Sequence, residues 1–204
     1  MKLRSVLPLL LALFCLMLSA AAAHADILYN NGTASEFLAM WDISGSNAVS
    51  NQFTCNYGTC NTQYLEFDAT FPNQDYSAQH VNWSITSAPF GGTTFASGTS
   101  TLPQFYVCDG DNIVCLLDIN FVASLANGTY YVNLTGADGP LEWDTPSHPL
   151  NGNNAYDMTN GITTQIQGEG FLIRGTSTPE PGSFLLLGSG LVGVAGLLRR
   201  SFLL

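Results

Sequence analysis

The sequence predicts an all-β body, a β-sandwich of jelly-roll type, on three observations. Between residues 27 and 174, short apolar or alternating runs are separated by clusters of Gly, Asn, Asp and Pro, with no stretch of helical periodicity long enough for a helix. Where the runs alternate, they do so with period two: in HVNWSIT (80–86), Val81, Trp83 and Ile85 face one way and Asn82, Ser84 and Thr86 the other. About ten such runs within roughly 150 residues are too many for one flat sheet to bury a face of each, so two packed layers are the economical solution.

In order along the chain, strands are expected at 27–29, where Ile-Leu-Tyr opens the body, at 37–41, carrying Phe37 and Trp41, at 48–54 and at 64–69. The alternating run 80–86 follows, then the Thr- and Ser-rich run 93–100 and the short run 104–108. In 113–121, Ile113, Cys115, Leu117, Ile119 and Phe121 fall on one face. The run 127–134 starts from the turn dipeptide Asn127-Gly128 and continues through β-formers, and 165–175 closes the body, its glycines marking a bulge. Residues 145–164 hold two prolines and a run of Asn and Gly, and read as a long surface loop.

The two ends differ from the body. Lys2 and Arg4 precede an apolar stretch that runs to Leu18, and Ala23-His24-Ala25 offers the small residues a signal peptidase needs. Residues 1–25 therefore read as a cleaved signal peptide, with signal peptidase and the export machinery as partners, and 26–174 as the exported domain. Lys2 is the only lysine. From Asp26 onward the body has fourteen Asp and Glu against Arg174 alone, a formal charge of −13. Such a surface repels phosphate backbones, so nucleic acid is excluded as a partner.

Cys15 leaves with the signal, and Cys55, Cys60, Cys108 and Cys115 remain. Two close pairs could in principle give a zinc thiolate site, but the spacings are loose and the protein is exported. Two disulfides are expected instead, Cys55–Cys60 and Cys108–Cys115, each closing a short loop.

Residues 175–182, GTSTPEPG, read as a small-residue linker, and 183–204 as a membrane-spanning tail. Residues 184–198 carry no charge and stop at Arg199-Arg200. As a helix they would span roughly 22 Å, short of a ~30 Å hydrocarbon core, and the snorkelling arginines extend that reach. Basic residues beyond an apolar run belong on the cytoplasmic side, which leaves the body on the opposite side of the membrane. Pro179-Glu180-Pro181, the apolar segment and the arginine pair together resemble the PEP-CTERM sorting signal of Gram-negative bacteria. The four residues after the arginines, 201–204, depart from tails that end on the basic cluster. The resemblance implies recognition by an exosortase, an integral-membrane cysteine transpeptidase that removes the helix and releases or transfers the protein to the cell surface. The body itself, through LYNNGTASE, VNWSITSAPFGGTTFASGT and LANGTYYVNLTGADGPLEWD, is similar to a recurrent exported module of PEP-CTERM proteins. That similarity implies a jelly-roll sandwich and no particular activity.

Catalytic constellations are not found. His80 and His148 lie in unrelated segments, and neither G-x-S-x-G nor H-E-x-x-H occurs. Glu142 and Asp144 flank Trp143; on a strand the two acids would share one face and Trp143 the other, a poor arrangement for acid–base work on a sugar stacked on the indole. The expected role of Trp143 is a buried core position between two solvated acids. Asp109, Asp111 and Asn112 in DGDN resemble a calcium-ligand cluster, although a solvated hairpin tip clipped by Cys108–Cys115 accounts for them as well. The reading is a non-enzymatic surface or matrix protein without cofactors, structural or adhesive in role. The alternative is a carbohydrate-binding module for exopolysaccharide. A flat exposed patch drawn from Trp41, Tyr57, Tyr106, Trp143 and Tyr156 would favour the alternative, and their burial the structural role.

Overall fold

Four of the expected strands fuse into two. The runs at 48–54 and 64–69 belong to a single strand, β3 (Ala48–Thr70), and those at 113–121 and 127–134 to β7 (Val114–Thr135). The intervening glycines stay within the strands because β3 and β7 pair antiparallel almost end to end, from Ala48↔Thr135 to Thr70↔Val114. Asn127-Gly128, expected as a turn, is therefore strand, with Gly128 opposite Cys55. The computed structural model describes residues 26–32, 39–103, 107–108, 114–146 and 155–178.

The other strands are β1 (Asp26–Asn30), β2 (Met40–Asp42), β4 (His80–Ala88), β5 (Gly91–Thr101), β6 (Val107–Cys108), β8 (Glu142–Asp144), β9 (Ala155–Thr159), β10 (Ile162–Ile166) and β11 (Phe171–Thr178). They join in one sheet with the order β1-β11-β3-β7-β4-β5, and the strand pairs are antiparallel. The β9–β10 hairpin attaches to β3 at Ala48–Asn51, and β8, which carries β2, attaches to β3 at Ala69 and Thr70.

The all-β expectation holds. In place of the two separate sheets of a jelly-roll sandwich, however, one hydrogen-bonded sheet folds over itself. Strand β4 meets β7 only along the end of β7, Tyr131 to Thr135, yet Trp83 of β4 packs on Phe121 at a centroid distance of 4.9 Å. Ser100 of β5 ties the layers further: its Oγ accepts from Trp83 Nε1 at 3.0 Å and donates to the Asn120 carbonyl at 2.7 Å. On the other side, Tyr29 of β1 reaches across β11 to the Gln52 carbonyl at 3.3 Å and the Phe53 ring at 6.0 Å. Such doubling requires bends. On β3, Asn56 to Gly58 lie opposite Asn127 alone, a hump closed at its base by Cys55–Cys60, and the register slips again between Thr62 and Tyr64.

The folded sheet encloses one core, and much of it is aromatic. The buried rings of Tyr130, Phe53, Tyr29, Phe171, Trp143 and Phe67, with the exposed Phe95 at one end, form a continuous series of ring contacts with centroids 5.0–6.0 Å apart. Five strands besides β3 contribute to that series, so burial of these rings, at about 1.5–3 kcal/mol for each fully buried large side chain, is shared by the whole domain.

Several expected boundaries are corrected. Residues 145–164 are not one loop: β9 and β10 form a hairpin whose two-residue turn is Asn160-Gly161, with φ of 53° and 77°. The polar composition of this stretch reflects an edge hairpin, with Ile162–Gln165 exposed. The closing strand expected at 165–175 is divided by residues 167–170 into β10 and β11. Residues 175–178, assigned to the linker, are strand, with Gly175↔Thr62 through Thr178↔Thr59 paired to β3. Among the described residues no helix is long and apolar enough to cross a membrane. The signal peptide 1–25, Pro179, Glu180, Pro181 and the tail with Arg199 and Arg200 lie outside them.

Two glycines separate crowding from strain. A Cβ on Gly175 would lie 2.1 Å from the Asn61 carbonyl oxygen, whereas one on Gly161 would meet open space at an unfavourable φ of 77°. Gly175→Ala should therefore cost about 3 kcal/mol, since backbone must move, and Gly161→Ala about 1 kcal/mol. Denaturant midpoints of the two variants check the order.

Candidate functional site

Both expected disulfides form, Cys55–Cys60 and Cys108–Cys115. The first spans the hump of β3; the second joins residues opposite each other across the β6–β7 pair. The calcium candidates Asp109, Asp111 and Asn112 lie outside the described residues, as do His148, Tyr106 and the side chain of Tyr57.

Among the described residues, Trp41, Trp143 and Tyr156 do not form a flat exposed patch. Trp143 has no solvent exposure and donates its indole N–H to the Gly170 carbonyl at 2.9 Å, as a core residue with its polar edge satisfied. Trp41 is its cross-strand neighbour, half-buried against the core. Tyr156 is half-buried and meets Tyr131 at 6.3 Å, with ring planes inclined at 59°. Burial of the Tyr131 phenol, and then the nearby Tyr156, raises its pKa. The two tyrosines border a neutral polar row running across six strands in register: Ser97, Ser84, Asn133, Ser50, Tyr156 and Gln165. Its centre is well fixed, since Asn133 Nδ2 donates to Thr86 Oγ1 at 2.8 Å and to Ser84 Oγ at 3.1 Å while Oδ1 accepts the Phe90 N–H at 3.0 Å.

His80 lies on the surface, Nδ1 2.8 Å from Asp138 Oδ2, with the two side chains 49% and 47% exposed. Asp138 Oδ1 also accepts the N–H groups of Gln79 and His80 at 2.7 and 2.9 Å. These bonds clamp the start of β4 to the turn after β7. Together they hold the Asp138 carboxyl down to about 2, the His80 side chain contributing most.

The acids of LEWD do not behave as a solvated pair. Asp144 is fully buried, which corrects the expectation for that residue, while Glu142 is half-buried and its pKa is raised by burial and then by Asp42. Sequence reasoning also missed Glu169, which is fully buried between Gly168 and Gly170 in the connection to β11. Its pKa is raised well above the ordinary carboxylate range, chiefly by burial, with the charges of Asp144 and Asp157 adding to the rise and Thr145 opposing it. The available signal was the pair of flanking glycines, which let the chain approach its neighbours closely around an acid.

The body's only Lys or Arg is committed internally. The Arg174 guanidinium binds Glu66 through Nε to Oε1 and through Nη2 to Oε2 at 3.1 Å. Asp118, opposite Glu66 on β7, shares this cluster; burial and Glu66 raise its pKa while Arg174 lowers it. Arg174→Ala would leave Glu66, 8% exposed, facing Asp118 without a counter-charge. The expected loss is about 2 kcal/mol, below that of a fully buried pair because the guanidinium is 38% exposed. Arg174→Leu combined with Glu66→Leu should recover most of it in a denaturant titration.

A second prediction concerns acid. The folded Asp138 carboxyl resists protonation, so its stability contribution is present above its unfolded value of 3.8 and is lost as pH falls through about 2. Asp138→Asn should flatten that part of the stability–pH curve, as measured by unfolding between pH 5 and pH 2.

Among curated proteins none matches the chain. Residues 177–200 match the family model of the PEP-CTERM protein-sorting motif, beginning within β11 and taking in Pro179-Glu180-Pro181, the apolar segment and both arginines. The chain thus carries a PEP-CTERM protein-sorting motif, which implies an exosortase as its processing partner and export toward the cell surface.

Proposed function

We propose that the body is a non-catalytic structural or adhesive domain of the extracellular matrix, delivered through processing of its tail. The observation that supports this reading is where the aromatic side chains lie. Trp143 is fully buried, Trp83 is 8% exposed and Trp41 is half-buried, so the tryptophans serve cohesion. The anionic charge favours solubility outside the cell, and two disulfides suit an oxidising compartment.

In this reading the apolar segment 184–198 holds the chain in the inner membrane after export. Glu180 is too costly to bury in hydrocarbon and stays at the outer boundary, while Arg199 and Arg200 remain on the cytoplasmic side. The prolines beside Glu180 keep the backbone extended and stop helix from propagating toward the body. The test is expression of the full chain in hosts with and without an exosortase, with the C-terminus determined by mass spectrometry. A shortened C-terminus is expected only where the enzyme is present; the same intact tail in both hosts would make the protein a plain membrane anchor.

Binding of exopolysaccharide is the second reading, and the specific observation favouring it is the Tyr131–Tyr156 pair beside the neutral polar row. Half-buried aromatic rings beside the accessible Ser84, Ser97 and Gln165 suit a sugar, with the buried Ser50 and Asn133 beneath them. A glycan array of the intact protein and of Tyr156→Ala decides it: sugar binding predicts hits weakened about tenfold or more by loss of the ring, and the structural reading predicts none.

A further inference from the structure

Glu169 is gripped at every polar group except one. Its N–H donates to Asn51 Oδ1 at 3.1 Å, its carbonyl accepts Asn31 Nδ2 at 2.7 Å, and its Oε2 accepts Thr145 Oγ1 at 3.0 Å. Oε1 is buried with no hydrogen-bond partner. Asn31 is also fully buried, fixed by its own N–H to the Phe171 carbonyl at 2.9 Å and by its Nδ2 bond, and its Oδ1 is likewise left without a partner. Two orphaned acceptor oxygens thus belong to two residues in direct contact. The fully buried Asp144 adjoins them: its carbonyl accepts the Gly170 N–H at 2.9 Å, and its negative charge acts on Glu169 together with that of Asp157.

Each buried unpartnered polar group costs about 1–3 kcal/mol, and an uncompensated carboxylate costs more. Among the described residues Arg174 is the only Lys or Arg, and Glu66 engages it, so no Lys or Arg of the described residues is free to neutralise Glu169. We propose that Glu169, Asn31 and Asp144 form a cation site that takes Ca²⁺. The donors are hard oxygens, carboxylate and amide, with no His or Cys to favour zinc. Calcium accepts six to eight such oxygens in an irregular shell that water can complete, whereas magnesium demands a near-ideal octahedron. Among the described residues no three His, Cys, Asp or Glu side chains gather as a metal group, so the proposed site relies on the Asn31 amide oxygen and on water to complete the shell. The site links Asn31 after β1, Asn51 in β3, Asp144 and Thr145 at the end of β8, and Glu169 before β11. An ion there would fasten four segments that are distant in sequence.

The test uses the full chain stripped of metal with a chelator. Calcium is titrated by calorimetry, thermal unfolding is followed with and without it, and terbium luminescence is excited through the tryptophans. The expected result is a rise in Tm with calcium that magnesium at equal ionic strength does not reproduce, and a terbium signal displaced by calcium. Glu169→Gln keeps the shape but removes the charge, and should weaken calcium binding more than about tenfold. Asn31→Ala, which removes one ligand and adds no charge, gives a second variant should the first fail to fold, with the same loss expected. A parent chain whose stability ignores calcium overturns the proposal, because Glu169 would then be neutralised by a proton alone. Calcium binding that survives in the folded variants also overturns it, by placing the ion elsewhere.

Discussion

The antiparallel pairing of β3 with β7 is the constraint from which the rest of the structure follows. Every other strand attaches to one of these two or to a strand that does. Strand β3 is 23 residues long and β7 is 22. Fully extended, 23 residues would reach roughly 75 Å, about twice the width of a compact domain of ~150 residues. The pair must therefore bend, and bending brings its two halves face to face. The hump at Asn56–Gly58 and the slip at Thr62/Tyr64 let the ladder turn, leaving residues 56–58 and 63 unpaired and resuming pairing on either side. Cys55–Cys60 closes the larger irregularity. Its short loop limits it to about 2 kcal/mol by chain entropy, and it also fixes the geometry of a bend on which both layers depend.

Charge imposes a second constraint. A body with fourteen acids and one arginine has almost no means of neutralising a carboxylate internally, and the structure assigns that arginine to Glu66, where Asp118 would otherwise face another acid across the ladder. Asp138 stays at the surface and relies on backbone N–H groups and His80. Glu169 has neither solution: it is fully buried, and its Oε1 has no hydrogen-bond partner. Burial in a cation-poor body is not a cheap way to hold strands together, because apolar residues of similar size would do so at no electrostatic cost. That is why the Glu169 pocket differs in kind from the solvated acids elsewhere in the domain.

The fold was legible in the sequence wherever period-two alternation met a turn signal. Residues 80–86 read as a strand and form most of β4, and the close cysteine pairs gave the disulfides. The fusion of strands was not legible, because Gly58 and Asn127-Gly128 look locally like turns and only the long partner strand opposite keeps them extended. The hairpin at 155–166 carried its own signal, Asn160-Gly161, but the surrounding polar residues suit an edge strand and a loop equally. Trp143 was placed correctly in the core. Asp144 was misplaced because strand alternation puts it on the face away from Trp143, and that face is covered too. For Glu169 no periodic pattern exists, since it lies in an irregular connection whose burial is decided by Asn31, Asn51 and Thr145 from three other parts of the chain.

The body and the sorting signal meet without slack. The family match begins at Ser177, which still pairs with Cys60, and Thr178 pairs with Thr59. The next residue is Pro179, which has no N–H to add to a ladder. An enzyme that needs extended, accessible backbone at the first residues of the signal must compete with β11–β3 pairing in a stretch of β3 held by Cys55–Cys60. The last pairs of β11 thus leave no unpaired residue between the sheet and Pro179, and an enzyme needing extended backbone there would first have to open them.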